Sequence, residues 1–214
     1  MEDSLQESSA PTTKIETVTV VRPLKVIAML AYVASIILLI VCCGATTWLR
    51  SGDYHQGIFE ECLDINGTIA LRAPPVHGTC QQIGQRGGRV YLHAVAALMI
   101  IALLLTIAST ALTIIGLKSE LASRKYLYYR IAVYFGLLAV VLEAISLVVF
   151  PVCFYYELKD LRVYEWDFDW AYGVAWAVLV LTISAALLLI CDKEHDEIYY
   201  KEKMIVNTGK EAEA

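Results

Sequence analysis

Charge is missing from four long stretches of this chain, and those gaps constrain its fold more than any motif does. No Asp, Glu, Lys or Arg occurs between Lys25 and Arg50, between Arg89 and Lys118, or between Asp169 and Asp192. The stretch from Arg130 to Glu157 holds one, Glu143. Each exceeds the roughly 20 apolar residues that a helix needs to cross ~30 Å of hydrocarbon. A lipid-exposed segment must satisfy its own backbone hydrogen bonds, so these stretches read as helices. The spacing predicts transmembrane helices at about 26–47, 92–117, 131–155 and 170–191. The expected class is an all-α membrane protein, in keeping with a hydrophobic content of 58 %.

The first apolar run is long enough to span and follows an acidic, Ser/Thr-rich head, so it is expected to be an uncleaved anchor rather than a signal peptide. Two lines of reasoning orient the bundle. The segment between the second and third helices carries Lys118, Arg124, Lys125 and Arg130, and Arg22 and Lys25 flank the first helix. The segment at 156–169 is acidic, with Glu157, Asp160, Glu165, Asp167 and Asp169 against Lys159 and Arg162. The positive-inside rule then puts the tails, 1–25 and 192–214, in the cytoplasm, although Arg50, Arg86 and Arg89 oppose it. Independently, the loop at about 48–91 holds Cys62, Cys80 and the sequon Asn66-Gly67-Thr68, which belong on the oxidising, glycosylating side.

That first loop mixes β-branched and aromatic residues with Gly, Pro and Asn, a pattern of short strands and turns. Cys62 and Cys80 are expected to be bridged, closing a loop of about 18 residues and contributing about 3 kcal/mol on the chain-entropy view. Asn66 is the expected glycosylation site. Glu143, deep in the third helix, should face the bundle and find a partner such as Ser35, Thr106, Ser109 or Thr110, since a mid-membrane carboxylate costs about 2.5–3.5 kcal/mol. An ion or proton pathway would need further ionisable groups at that depth. Small-residue pairs (Ala31 and Ser35, Ala132 and Gly136, Gly173 and Ala177) read as packing surfaces within the bundle, with an oligomer face as the alternative. Cys42-Cys43 reads as helix-packing surface. Cys191, at the cytoplasmic end of the fourth helix, is a candidate S-palmitoylation acceptor, with a plain thiol as the alternative. Tyr199 and Tyr200, among acidic residues in the tail, are candidate phosphorylation sites.

Nothing in the chain reads as catalytic machinery. The four His residues are scattered, without ligand spacing. No Ser-His-Asp set, phosphate-binding glycine loop or Cys-x-x-Cys pair is present. No enzyme activity, cofactor, metal, small-molecule substrate or nucleic-acid partner is expected.

Trp48, Gly57-Ile58-Phe59, Cys62 and Cys80 together resemble the first extracellular loop of the superfamily that contains claudins, peripheral myelin protein and epithelial membrane proteins. Within it the chain most resembles the transmembrane protein 47 branch. That likeness rests on Arg22-Pro23-Leu24-Lys25, Val148 to Phe154 with Pro151, Phe168 to Trp176, and the Tyr199-Tyr200 pair. The resemblance implies a claudin-like, left-handed four-helix bundle carrying a small extracellular β-sheet, joined by a strand from the 156–169 loop. It points to Trp48 and Phe59 as the packing plug between sheet and bundle. It implies a plasma-membrane protein of cell–cell junctions, organising adhesion and cortical actin attachment with cadherin–catenin complexes or another cytoskeletal scaffold, with self-association as a further expectation. A paracellular barrier or pore and an ion-channel auxiliary subunit are the alternatives. The chain departs from claudins in reading Gly57-Ile58-Phe59 where they have Gly-Leu-Trp. Gln81 follows the second loop cysteine, where they often place a selectivity charge. The last residues read Lys210-Glu211-Ala212-Glu213-Ala214, without the hydrophobic terminal residue that claudins offer to PDZ scaffolds.

Overall fold

A computed structural model describes residues 23–67, 75–83, 90–119, 122–161 and 166–191, without the side chains of 122, 123, 158, 160 and 161. Among the described residues four helices dominate: α1 Pro23–Gly44, α2 Val90–Lys118, α3 Ala122–Leu161 and α4 Trp170–Cys191. All four are long and apolar enough to cross a membrane. Their surfaces point the same way. On α1 the buried positions are Lys25, Ala28, Tyr32, Ser35, Leu39, Cys42 and Cys43, while Leu30, Ile37 and Ile40 face outward. The interior mixes small and hydroxyl side chains with larger ones such as Tyr32, Leu39, Met99 and Phe150, while large aliphatic side chains coat the exterior. Water would not tolerate that surface, whereas lipid favours it, because helices there associate through close packing rather than hydrophobic burial.

Exposed aromatic residues mark the two edges of this coat. Tyr134 and Tyr155 lie on the outward stripe of α3 that runs through Leu138, Val141, Ile145, Val148 and Val152. Their separation along the helix is roughly 31 Å at 1.5 Å per residue, matching the hydrocarbon thickness of ~30 Å. The chain is a multi-pass membrane protein.

Helix boundaries differ from the expected spans for local reasons. Proline suits the first position of a helix, where no N–H is needed, so α1 starts at Pro23. It stops at Gly44, three residues early, because Ala45 to Thr47 turn the chain into the first strand. At 40 residues, α3 is far longer than a span. Its charged and aromatic ends continue as helix beyond the apolar band, since helical hydrogen bonding does not stop at the hydrocarbon edge.

Among the described residues, five short strands form one antiparallel sheet: β1 Leu49–Ser51, β2 Tyr54–Gln56, β3 Glu60–Leu63, β4 Thr79–Gln82 and β5 Asp167–Phe168. Their order is β4-β3-β2-β1-β5, so the strand before α4 closes one edge beside β1. The β1–β2 turn is two residues long, and Gly52 takes the left-handed conformation it needs (φ 57°). Within the bundle α2 packs mainly along α3, and α1 along α4.

Candidate functional site

Two places concentrate unusual chemistry: the joint between sheet and bundle, and a polar layer inside the bundle.

The joint is built around Trp48, which is fully buried. Its indole N–H donates to the Cys42 carbonyl at 2.6 Å, satisfying one of the carbonyls that the end of α1 leaves unpaired. Its backbone N–H donates to the Gln56 carbonyl, and its own carbonyl accepts from the Asp169 N–H. Its ring meets Phe150 edge-on at 5.2 Å and Tyr172 at 5.8 Å. One residue thus ties α1, the sheet, the β5 segment, α3 and α4 together. Tyr172 carries the contact outward by stacking on Phe168 of β5 at 4.3 Å.

Tyr172 has a second task. Its hydroxyl donates to the Leu147 carbonyl at 2.8 Å. In a regular helix that carbonyl would accept from the N–H four residues on, but residue 151 is proline and has none. The α4 hydroxyl therefore supplies the hydrogen bond that Pro151 removes from α3.

Of the Gly57-Ile58-Phe59 tripeptide, the first two residues join the plug. A Cβ on Gly57 would collide with the Ala45 carbonyl and the Thr46 Cα, so the strand lies against the α1–β1 turn only because Gly57 has no side chain. Ile58 is buried in the core that contains Trp48. Phe59, expected to plug the joint, is instead 41 % exposed. Ile58 occupies the inward position of the turn, and Phe59 contributes its carbonyl, which accepts from Ile83 N–H.

Cys62 and Cys80 are bonded to each other and sit directly opposite in the β3–β4 ladder. Asn66 is exposed in the turn after β3, while Thr68 of its sequon lies outside the described residues. Tyr54, Gln56 and Glu61 form a polar knot that the sequence did not signal. The Tyr54 hydroxyl lies 2.8 Å from Glu61 Oε2 and 3.0 Å from the Gln56 amide oxygen. A hydroxyl has one proton. Donated to Glu61, it leaves a lone pair that suits the Gln56 amide N–H in its flipped orientation. Gln81, opposite Glu61 in the ladder, is half-buried.

The polar layer lies between two apolar clusters. One holds Leu39, Met99, Leu147 and Leu179, and the other holds Tyr32, Ala132 and Ala185. Glu143 is completely buried there. The expected partners bond elsewhere: Ser35, Thr106 and Thr110 donate to carbonyls one turn back on their own helices, and Ser109 donates across to Ala132 on α3. The observed neighbour is Thr182 of α4, 3.5 Å from Oε1, while Oε2 has no partner. Thr182 also lies 2.9 Å from the Val178 carbonyl. With its proton on that shorter bond, Thr182 offers Glu143 a lone pair, which a neutral carboxylic acid can use and a carboxylate cannot.

The small-residue pairs divide. A Cβ on Gly136 would collide with the Tyr32 hydroxyl, so this glycine admits a tyrosine between α1 and α3. Gly173 and Ala177 point outward, and a Cβ at Gly173 would meet open space, so that pair does not pack the bundle. Cys42 and Cys43 are buried beneath Trp48, and Cys191 is exposed at the last residue of α4. Tyr199 and Tyr200 lie outside the described residues. Among the described residues no group of His, Cys, Asp or Glu is arranged to hold a metal ion.

A sequence profile of the PMP-22/EMP/MP20/Claudin family matches residues 24–189. The chain is also similar to a zebrafish (Danio rerio) protein described as "p53 apoptosis effector related to PMP-22", with 32 % identity over 103 residues. That match covers 47 % of this chain and 51 % of the relative, so the chain spans about half the length of the curated relative it matches.

Proposed function

The chain belongs to the PMP-22/EMP/MP20/Claudin family, and from that premise we propose that it is a non-enzymatic plasma-membrane protein of cell–cell junctions. It organises adhesion and couples contacts to cortical actin through cadherin–catenin complexes or a related cytoskeletal scaffold. The disulfide-closed sheet faces the extracellular space and both tails face the cytoplasm. The bridge at the sheet end and the basic residues at the opposite end support this orientation.

The observation that carries the reading is the rim of the sheet. At the end of the strands away from Trp48, Ile65 is 77 % exposed and Val76 51 % exposed. Ile65 packs over Gly78, two residues beyond Val76: a Cβ there would meet the Ile65 side chain at 3.0 Å. Apolar side chains held in solvent by a braced sheet form a contact surface. Tyr199 and Tyr200 are proposed as phosphorylation sites that regulate scaffold docking, and Cys191 as an S-palmitoylation site.

A barrier or pore is the second reading, because family members line such paths with loop charges. Asp64 is the clean probe of it, being exposed, whereas Glu61 holds the Tyr54 hydroxyl. Deleting 192–214 should weaken junctional retention and actin coupling in a polarised epithelium while Asp64→Lys leaves ion selectivity unchanged. Inversion of the cation-to-anion permeability ratio by Asp64→Lys, with junctions intact, would install the pore reading instead.

A further inference from the structure

The end of the bundle away from the sheet carries a charge arrangement that packing does not use. Lys118, Arg124 and Arg130 are exposed there, at the end of α2 and the start of α3. No described residue at that end is acidic: apart from Glu143, every described carboxylate side chain (Asp53, Glu60, Glu61, Asp64, Glu157, Asp167 and Asp169) belongs to the sheet end. Lys25 differs from the exposed cations, being buried with its ammonium 4.3 Å from the Tyr129 ring centre. Arg22 and Glu120 lie outside the described residues.

Depth makes the arrangement specific. Arg130 sits on the outward stripe of α3 between Leu127, 55 % exposed, and Tyr134, 64 % exposed. Tyr134 marks the hydrocarbon edge. Arg130 then lies about 6 Å beyond it along the axis and Arg124 about 15 Å beyond it. The headgroup layer is roughly 5–8 Å thick. Arg130 is therefore level with the glycerol phosphate of a lipid, with the Tyr134 hydroxyl at its lower edge. Arg124 stands where a headgroup would have to project out of the bilayer to meet it, and so does Lys118, two residues beyond Gly116, where α2 meets the Tyr129 ring of α3. Guanidinium groups pair with phosphate through two parallel hydrogen bonds. Cations at two depths match a headgroup with phosphates at two depths.

We propose that Lys118, Arg124, Arg130 and Tyr134 form a binding site for an inositol phospholipid carrying ring phosphates. Its acyl chains lie along the outward stripe of α3 and its ring phosphates reach Arg124 and Lys118. The site rests on the proposed orientation only for its assignment to the cytoplasmic leaflet.

The test uses the full chain in nanodiscs of phosphatidylcholine doped with equal amounts of phosphatidylserine and phosphatidylinositol 4,5-bisphosphate, with lipid retention read by native mass spectrometry. Both nanodisc faces carry the lipids, so the result does not depend on orientation in the cell. The wild type should retain the bisphosphate in preference to phosphatidylserine. Lys118→Gln/Arg124→Gln/Arg130→Gln should lower that retention roughly tenfold or more, since each interfacial cation contributes severalfold. Arg50→Gln, an exposed cation at the sheet end, should leave it unchanged. Equal retention of the two anionic lipids would overturn the two-depth site. So would undiminished bisphosphate retention by the triple variant, or an equal loss in Arg50→Gln. Retention of the bisphosphate by Arg124→Gln/Lys118→Gln at the wild-type level would likewise refute the role of the outer pair, and these surface substitutions leave the packed interior untouched.

Discussion

Replacing Tyr172 by phenylalanine removes one oxygen, yet its cost should depend on a residue in another helix. The hydroxyl donates to the Leu147 carbonyl at 2.8 Å, and Pro151 is the reason that carbonyl has no partner in α3. Leu147 is almost fully buried, so Tyr172→Phe strands an acceptor away from water. The penalty for a buried unpaired group is about 1–3 kcal/mol, and about 2 kcal/mol is expected here. Pro151→Ala restores an N–H four residues after Leu147. In that background the helix can close its own bond, and the same Tyr172→Phe change should cost less than about 0.5 kcal/mol. The coupling energy of the double-mutant cycle should therefore be about 1.5 kcal/mol, well above the ~0.3–0.5 kcal/mol scatter of independent sites. Reversible unfolding in mixed micelles, followed by far-ultraviolet circular dichroism, measures all four corners. An equal cost for Tyr172→Phe in both backgrounds would refute the claim that the α4 hydroxyl repairs the proline break.

Other consequences are checked more simply. Trp48→Ala should destabilise the chain by about 3–5 kcal/mol, the usual range for a buried Trp, and should expose Cys42 and Cys43 to maleimide. Wild-type protection of both thiols in that variant would contradict the role given to Trp48. Cys62→Ser should cost about 3 kcal/mol and reduce surface delivery as much as Cys80→Ser or the double change does. Additive losses would argue against one shared bridge. Asn66→Gln should abolish an endoglycosidase-sensitive mobility shift in protein made in a glycosylating cell, and a wild-type chain without that shift would remove this support for the orientation. Glu143→Gln should change stability by less than about 1 kcal/mol, because the amide can still donate to Thr182. Loss of function at normal surface abundance in that variant would revive an ion-pathway reading.

The chemistry of the solvent explains what could be read from sequence. Charge gaps locate membrane helices because the penalty for a charge in hydrocarbon is large, and all four were legible that way. The cysteine pair was legible because it is isolated in one loop. Phe59 was not, because a three-residue turn has no periodicity to show which side chain faces inward. Glu143's neighbour was missed because Ser35, Thr106, Thr110 and Thr182 all bond to carbonyls on their own helices, and only the packing of α4 on α3 brings Thr182 to Glu143. The Tyr172–Leu147 bond joins residues 25 apart in sequence. Pro151 did signal a missing donor, but only the packing of α4 on α3 could say what replaced it.

Localisation tests the junctional claim most directly. The full chain, tagged at the level of the endogenous protein in a polarised epithelium, would be imaged with adherens and tight junctions separately marked. The expected result is coincidence with the adherens-junction marker, dependent on residues 192–214. Coincidence with the tight-junction marker, or a distribution over the membrane that ignores cell contacts, would contradict it.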